Sequence, residues 1–249
     1  GYSRAITLCN ATVRYYGINN ANTVILIPMV KPSIAFINEL INFTRDGGSL
    51  IIISNGEYYG NIILRVMGIN AEFSNSSIID PMMYYANSSL PIAIINPAYQ
   101  GVIGAQYLLL DNSSYVKLMG NGDAIVIAET SPFSEANGVN GPFPVIVEVP
   151  YGRGSVVLVA DPSMFMNSII NHYGNSALLR WLCSNRKTVF LEGFTAKVTP
   201  LAIFRIYGHY AYAELMSSWT KYLIVASPMI IVIVIMIINR IEGGGNGER

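Results

Sequence analysis

An α/β domain with a mostly parallel sheet, helices on both faces and one transmembrane helix at the C-terminal end is the fold class the sequence predicts. Three observations carry it. Two strand-then-helix units follow each other closely between residues 23 and 68, and short connections of this kind imply parallel strands with right-handed crossovers. Residues 156–160 form an apolar run without polar alternation, as expected of a central strand buried on both faces. Residues 222–238 run seventeen positions without a charge.

In chain order, residues 5–18 read as one or two short strands, with weak alternation through Thr7, Cys9 and Thr12. Asn19, Asn20 and Asn22 break the pattern. Residues 23–30, TVILIPMV, make a buried strand, and Ser33 is placed to cap a helix over 34–45. In that helix Ile34, Ile37, Leu40 and Ile41 share one stripe, and Gly47 and Gly48 end it. Residues 50–53 form the next buried strand, running through Ser54-Asn55-Gly56-Glu57 into a helix over 58–67 closed by Gly68.

Residues 71–139 read as an irregular insertion of short, partly antiparallel strands (92–95, 107–110, 124–128) and loops that covers one edge of the sheet. Two apolar strands follow at 145–149 and 156–160, joined by the Tyr151-Gly152-Arg153-Gly154 turn. Asp161 as cap and Pro162 in the first turn then open a helix whose far end buries Leu178, Leu179 and Leu182. A last strand is expected at 187–191.

Charged residues make up 12% of the chain and the net charge is zero, which argues against nucleic acid as a partner. The uncharged run at 222–238 spans about 25 Å at 1.5 Å per residue, and Trp219 and its neighbours extend it to membrane thickness. Pro228 sits where it would kink such a helix. The expected organisation is an external domain over 1–195, an aromatic connector over 196–220, a membrane helix over 221–240 that contacts the lipid bilayer, and a short tail over 241–249. Arg240 and Arg249 against Lys221 favour a cytoplasmic tail, making this a type I single-pass protein. The start at Gly1 is what a mature chain shows when its leader, or a first membrane helix, has been removed.

Glycosylation sequons at Asn10, Asn42, Asn75, Asn87 and Asn112 agree with an extracellular glycoprotein. Cys9 and Cys183 either pair in a disulfide or stay as two buried thiols. Richness in Ile, Tyr and Asn with little charge fits the exterior of an extremophile, archaeal in style.

No catalytic residues are assigned, and no cofactor or metal is called for. His172 and His209 are 37 positions apart with no clustered acids, which is no ligand set. Gly243-Gly244-Gly245 lacks the strand and helix of a phosphate loop. At the crevice expected beyond the strand ends stand Asn55, Glu57, Asp161, Ser163, Asn167 and Asn175, which would bind a sugar or peptide; equally, they would cap helices and satisfy loop backbone.

TVILIPMV with its following helix, SLIIISN, GRGSVVLVADPSMFMN, GNSALLRWL and TVFLEG, ahead of a membrane helix, resemble the glutamine-amidotransferase-like (flavodoxin-like) membrane proteins of unknown function found in prokaryotes. That superfamily is related to the amidotransferase-like accessory subunit of oligosaccharyltransferase, which has no catalytic residues of its own. The resemblance covers roughly residues 23–70 and 142–240; the first helix is shortened and 71–139 has no counterpart. An active member needs a Cys at the strand-to-helix elbow and a His to deprotonate it. The elbow here is Ser54-Asn55-Gly56. The resemblance therefore implies a non-catalytic accessory subunit bound to integral membrane partners, in an oligosaccharyltransferase or a transporter-type complex, with a glycan as a further ligand. Two other readings stay open: a self-assembling surface or filament protein, and a hydrolase built on Ser54 or Ser163 with His172.

Overall fold

A computed structural model describes residues 1–120, 122–184 and 187–195. Nine strands form its main sheet, in the order β1-β13-β2-β3-β12-β11-β8-β5-β6. The parallel half consists of β1 (Thr12–Arg14), β13 (Thr188–Leu191), β2 (Thr23–Leu26), β3 (Ser49–Ile53) and β12 (Gly154–Val159). The other half, β11 (Pro144–Tyr151), β8 (Ile125–Glu129), β5 (Ile92–Ile95) and β6 (Tyr107–Leu109), is antiparallel throughout. The sheet is therefore mixed, not mostly parallel. The strands after residue 71 are antiparallel, as partly expected, but they are built into the main sheet itself, and burial, which reports which residues are inside and not which strands pair, does not distinguish the two arrangements.

Helices cover both faces. On one side α2 (Ile34–Arg45) and α3 (Gly60–Met67) bury Ile37, Leu40, Ile63 and Leu64 against Leu26, Leu50 and Leu158. On the other, α1 (Ser3–Leu8), α4 (Pro97–Ile103) and α5 (Asn175–Cys183) bury Ala5, Ile103, Leu178 and Leu179 against Ile51, Val157 and Phe190. The Ser33 hydroxyl caps α2 by accepting from the Phe36 amide at 3.2 Å. Ile34 departs from the expected stripe, being 58% exposed.

Four local expectations need correction. Residues 3–8 form a helix, not a strand, and only β1 follows it. Its short length is offset by tertiary ties. Asn167 accepts from the Arg4 amide, donates to the Ser3 hydroxyl and donates its own amide to the Gly1 carbonyl, while a disulfide joins Cys9 to Cys183 at the end of α5. Second, no helix opens at Asp161; a series of turns occupies 162–173 and α5 begins only at Asn175. Third, α4 was not anticipated; Asn96 caps it and Pro97 fills its first turn. Fourth, the segment 71–139 does not cover the sheet edge but extends it with β5, β6 and β8. Only β4 (Ala71–Phe73) with β7 (Val116–Leu118), and β9 (Glu135–Ala136) with β10 (Val139–Asn140), stand apart as small two-stranded sheets.

The antiparallel half curls. At about 4.8 Å per strand a flat sheet would hold β6 roughly 19 Å from β12. Yet Asp111, two residues beyond β6, donates its amide to Asp161, two residues beyond β12, and Asn175 joins Leu109 to Met164. Strand twist accumulated across the bulged β11–β8 pair rolls β5 and β6 back over the α1/α5 face.

The β11–β12 turn is the place where glycine is indispensable. Gly152 has φ +62°, and a Cβ on Gly154 would overlap the Gly48 carbonyl at the end of α2. Arg153 pairs with Asp46 at 3.2 Å with both side chains about three-quarters exposed, so the ion pair itself adds little.

Among the described residues no helix is long and apolar enough to cross a membrane. The expected connector, membrane helix and tail at 196–249 lie outside the described residues, as do Lys221, His209 and Pro228. Replacing Cys9 and Cys183 together by Ser should lower the unfolding free energy by about 2–5 kcal/mol, because the closed loop spans 174 residues of sequence. Urea denaturation of the variant against the oxidised parent measures this.

Candidate functional site

Parallel strands β2, β3 and β12 release the chain at one end of the sheet, where open α/β sheets bind ligands. After β3, Ser54 is fully buried and its hydroxyl donates to the Asn55 carbonyl at 3.0 Å. Asn55 accepts from the Glu57 amide at 3.1 Å, an Asx turn that fixes the elbow, and Glu57 faces solvent. Gly60 lets α3 approach: a Cβ there would lie 2.5 Å from the Ser54 hydroxyl oxygen.

After β12 the chain meets Asp161, fully buried. Its carboxylate accepts from three backbone amides, Ser163 at 2.7 Å, Asp111 at 2.8 Å and Met164 at 3.1 Å. Burial raises its pKa from the usual carboxylate range to about 7, against the opposing pull of those amides. Tyr2 stands near it, and Tyr58 stands near Tyr2. The Tyr2 hydroxyl donates to the Pro162 carbonyl at 2.6 Å, and burial, with Tyr58 and Asp161 nearby, pushes its pKa upward. Tyr58 is raised too, first by burial and then by Glu57.

The six expected ligand residues are thus divided. Ser163 is used through its backbone amide, and Asn167 clasps α1. Asn175, fully buried, accepts from the Leu109 amide at 3.0 Å and donates to the Leu109 carbonyl at 2.9 Å and the Met164 carbonyl at 3.3 Å. Asp161 knots two loops together. Asn55 and Glu57 remain near an accessible surface with Tyr58 and Tyr2, and Ser163 and Asn167 are likewise only partly buried. Tyr2 precedes the first strand, and the sequence carries no signal for its return to the crevice; Tyr58 is the first residue of the helix expected over 58–67, which in fact starts at Gly60.

His172 packs its ring on Tyr85, with centroids 5.3 Å apart, and shares no hydrogen bond with Ser54 or Ser163 among the described residues. Tyr85 also meets Tyr173 edge-on, and both are about half exposed. Tyr173 holds φ +45°, an unusual conformation for an aromatic residue. Among the described residues no His, Cys, Asp and Glu group is arranged to hold a metal ion. All five sequon asparagines are exposed.

A curled, mixed α/β domain with an internally hydrogen-bonded crevice is the class these observations define. Within it, the chain belongs to the DUF4350 family, a domain of unknown function whose pattern matches residues 11–183. No curated protein matches it. Among solved structures it is similar to the mmIFT52 N-terminal domain, with a TM-score of 0.54 and 14% identity over 66% of this chain and 78% of that one. It also matches a β-galactosidase from Bacillus circulans sp. alkalophilus (TM-score 0.42, 14% identity, 66% of this chain and 22% of that one). A thua-like protein from Bacteroides uniformis matches at TM-score 0.41 and 14% identity, over 67% and 71% of the two chains. The likeness to the first is one of fold.

Two outcomes test the reading of this site. The raised pKa means that the folded chain holds a proton on Asp161 that the unfolded chain, with an ordinary pKa near 4, releases. The associated stability is fully present below about pH 4 and lost as pH rises through about 7. The urea midpoint should fall over that window and the fall should flatten in Asp161→Asn; equal slopes in the two proteins would contradict it. Asn175→Ala should cost about 1–3 kcal/mol, because it strands the buried amide and carbonyl of Leu109, and the same urea titration reads it.

Proposed function

We propose that this chain is a non-catalytic accessory subunit of a membrane protein complex. In this reading residues 1–195 form an extracytoplasmic domain, residues 196–220 an aromatic connector at the membrane surface and residues 221–240 a single membrane helix. The domain binds or stabilises integral membrane partners, and the amidotransferase-like resemblance supplies the two complexes that fit best, an oligosaccharyltransferase and a transporter-type assembly.

The observation that carries the reading is how the polar groups of the crevice are spent. Where a working amidotransferase presents a Cys nucleophile, this chain has Ser54-Asn55-Gly56, and both cysteines are consumed in one disulfide. Asp161 and Asn175 are turned onto the protein's own backbone and Asn167 onto the start of α1, which stiffens a scaffold and leaves little to act on a substrate. The disulfide and the five exposed sequon asparagines support an oxidising, external location.

Self-assembly by strand addition finds less support. The outer strands β1 and β6 have three residues each, and the free side of β6 is taken by Tyr173, Gly174 and Asn175.

Extraction of the full chain from its native membrane in mild detergent, followed by mass spectrometry, should recover a polytopic membrane protein in fixed ratio. A chain that migrates alone, or only with copies of itself, would overturn the proposal.

A further inference from the structure

At the opposite end of the sheet from the crevice, where β1 and β13 begin, lies a cavity of about 810 Å³. That volume is within the range of small-molecule sites, about 300–1,000 Å³. Three cations line it, Arg14, Arg180 and Lys187, together with the side-chain amide residues Asn10, Asn20 and Asn22. Among the described residues no Asp or Glu lines it, in a chain whose 15 acidic and 15 basic residues balance. The cluster is a local excess of positive charge on a neutral protein.

The surroundings set how much of that charge is available. α1 and α5 both end at the cavity, and each helix end contributes at most about half a negative charge. Three full positive charges exceed this. Arg14 donates one guanidinium N–H to the Asn19 carbonyl at 2.8 Å, and a guanidinium carries five such donors. The Cys9–Cys183 disulfide forms part of the wall and ties two of its sides together, so the cavity is pre-shaped.

We propose that this cavity binds an acidic saccharide, with the cations taking its phosphate or carboxylate groups and the asparagine amides its hydroxyls. Arg and Lys supply charge-assisted bonds to the anion. Asn10 and Asn20 can both donate and accept, as a sugar hydroxyl does, and Asn22, whose side-chain oxygen accepts the Lys187 amide at 3.3 Å, keeps its NH2 to donate, so the set matches a hydroxylated anion better than a bare one. The proposal concerns the other end of the domain from the crevice and requires Asn10, one of the five sequon asparagines, to carry no glycan.

The test uses the full chain in detergent, produced in a host without N-glycosylation so that Asn10 is unmodified. Glucose 6-phosphate, inorganic phosphate and glucose are titrated calorimetrically at matched ionic strength. Glucose 6-phosphate should bind, at least tenfold more tightly than inorganic phosphate, with glucose silent and the affinity falling in 0.5 M salt, roughly the regime in which exposed charges are screened within a few Å. The Arg180→Glu, Lys187→Glu double variant should lose binding at least tenfold. Both positions are exposed, so its melting temperature without ligand should match the parent, while Arg153→Glu, outside the lining and three strands across the sheet, should bind normally. Absence of binding by both phosphates, or binding that survives the double variant, overturns the site. Equal affinity for phosphate and glucose 6-phosphate overturns its assignment to a saccharide.

Discussion

The Asp161 carboxylate is the point on which the curled sheet depends. It accepts amides from two sides, Ser163 and Met164 on the chain leaving β12 and Asp111 on the chain leaving β6. Those chains come from strands that three others separate in the sheet. Without an acceptor between them, amides would be buried unpaired where strand ends converge, each costing about 1–3 kcal/mol. One small side chain thus satisfies the backbone at the junction and sets how far the antiparallel half rolls. The cost is a buried carboxyl, eased by taking up a proton near neutral pH.

Asparagine repeats the device at two sheet borders. Asn175 meets both the amide and the carbonyl of Leu109, and Asn61 does the same for Phe73 at 2.8 and 2.9 Å. A carboxamide carries one donor group and one acceptor, the same pair a neighbouring strand would offer. These two side chains act as one-residue substitute strands on β6 and β4, closing edges that would otherwise invite pairing with another chain. An Asn-rich composition that looks like loop material is therefore partly sheet closure.

The legible part of the fold was the part whose signals are local. Residues 23–68 showed buried runs, a Ser33 cap and a Gly68 stop, and α2 and α3 followed with small shifts at their ends. Asp161-Pro162-Ser163 misled because the same side-chain-to-amide bonds that start a helix also close a turn; only the continuation distinguishes them, and here turns continue to residue 173. Residues 3–8 carried no cap and were too short to show a period, and their helix is fixed by Asn167 and Cys183, more than 160 positions away. The six crevice residues were found as a polar set, but their direction was not legible. Whether a buried amide faces a ligand or its own backbone depends on the curl that brings Leu109 beside it.

The two ends of the sheet differ in a way that bears on function. At the carboxyl ends of the strands, Asp161 and Asn175 are paired with backbone; at the amino ends, three cations surround an open volume with no carboxylate in its lining among the described residues. Catalytic sites in open α/β sheets use the first end because strand termini and loops converge there with unpaired groups. Here the side chains of Asp161 and Asn175 instead join the chains leaving β12 and β6, which stiffens this end of the domain. The disulfide reinforces that arrangement. It anchors α1 and α5 to each other at the basic end, while Tyr2, at the start of α1, reaches to Pro162 at the closed end, so one short helix couples the shape of both.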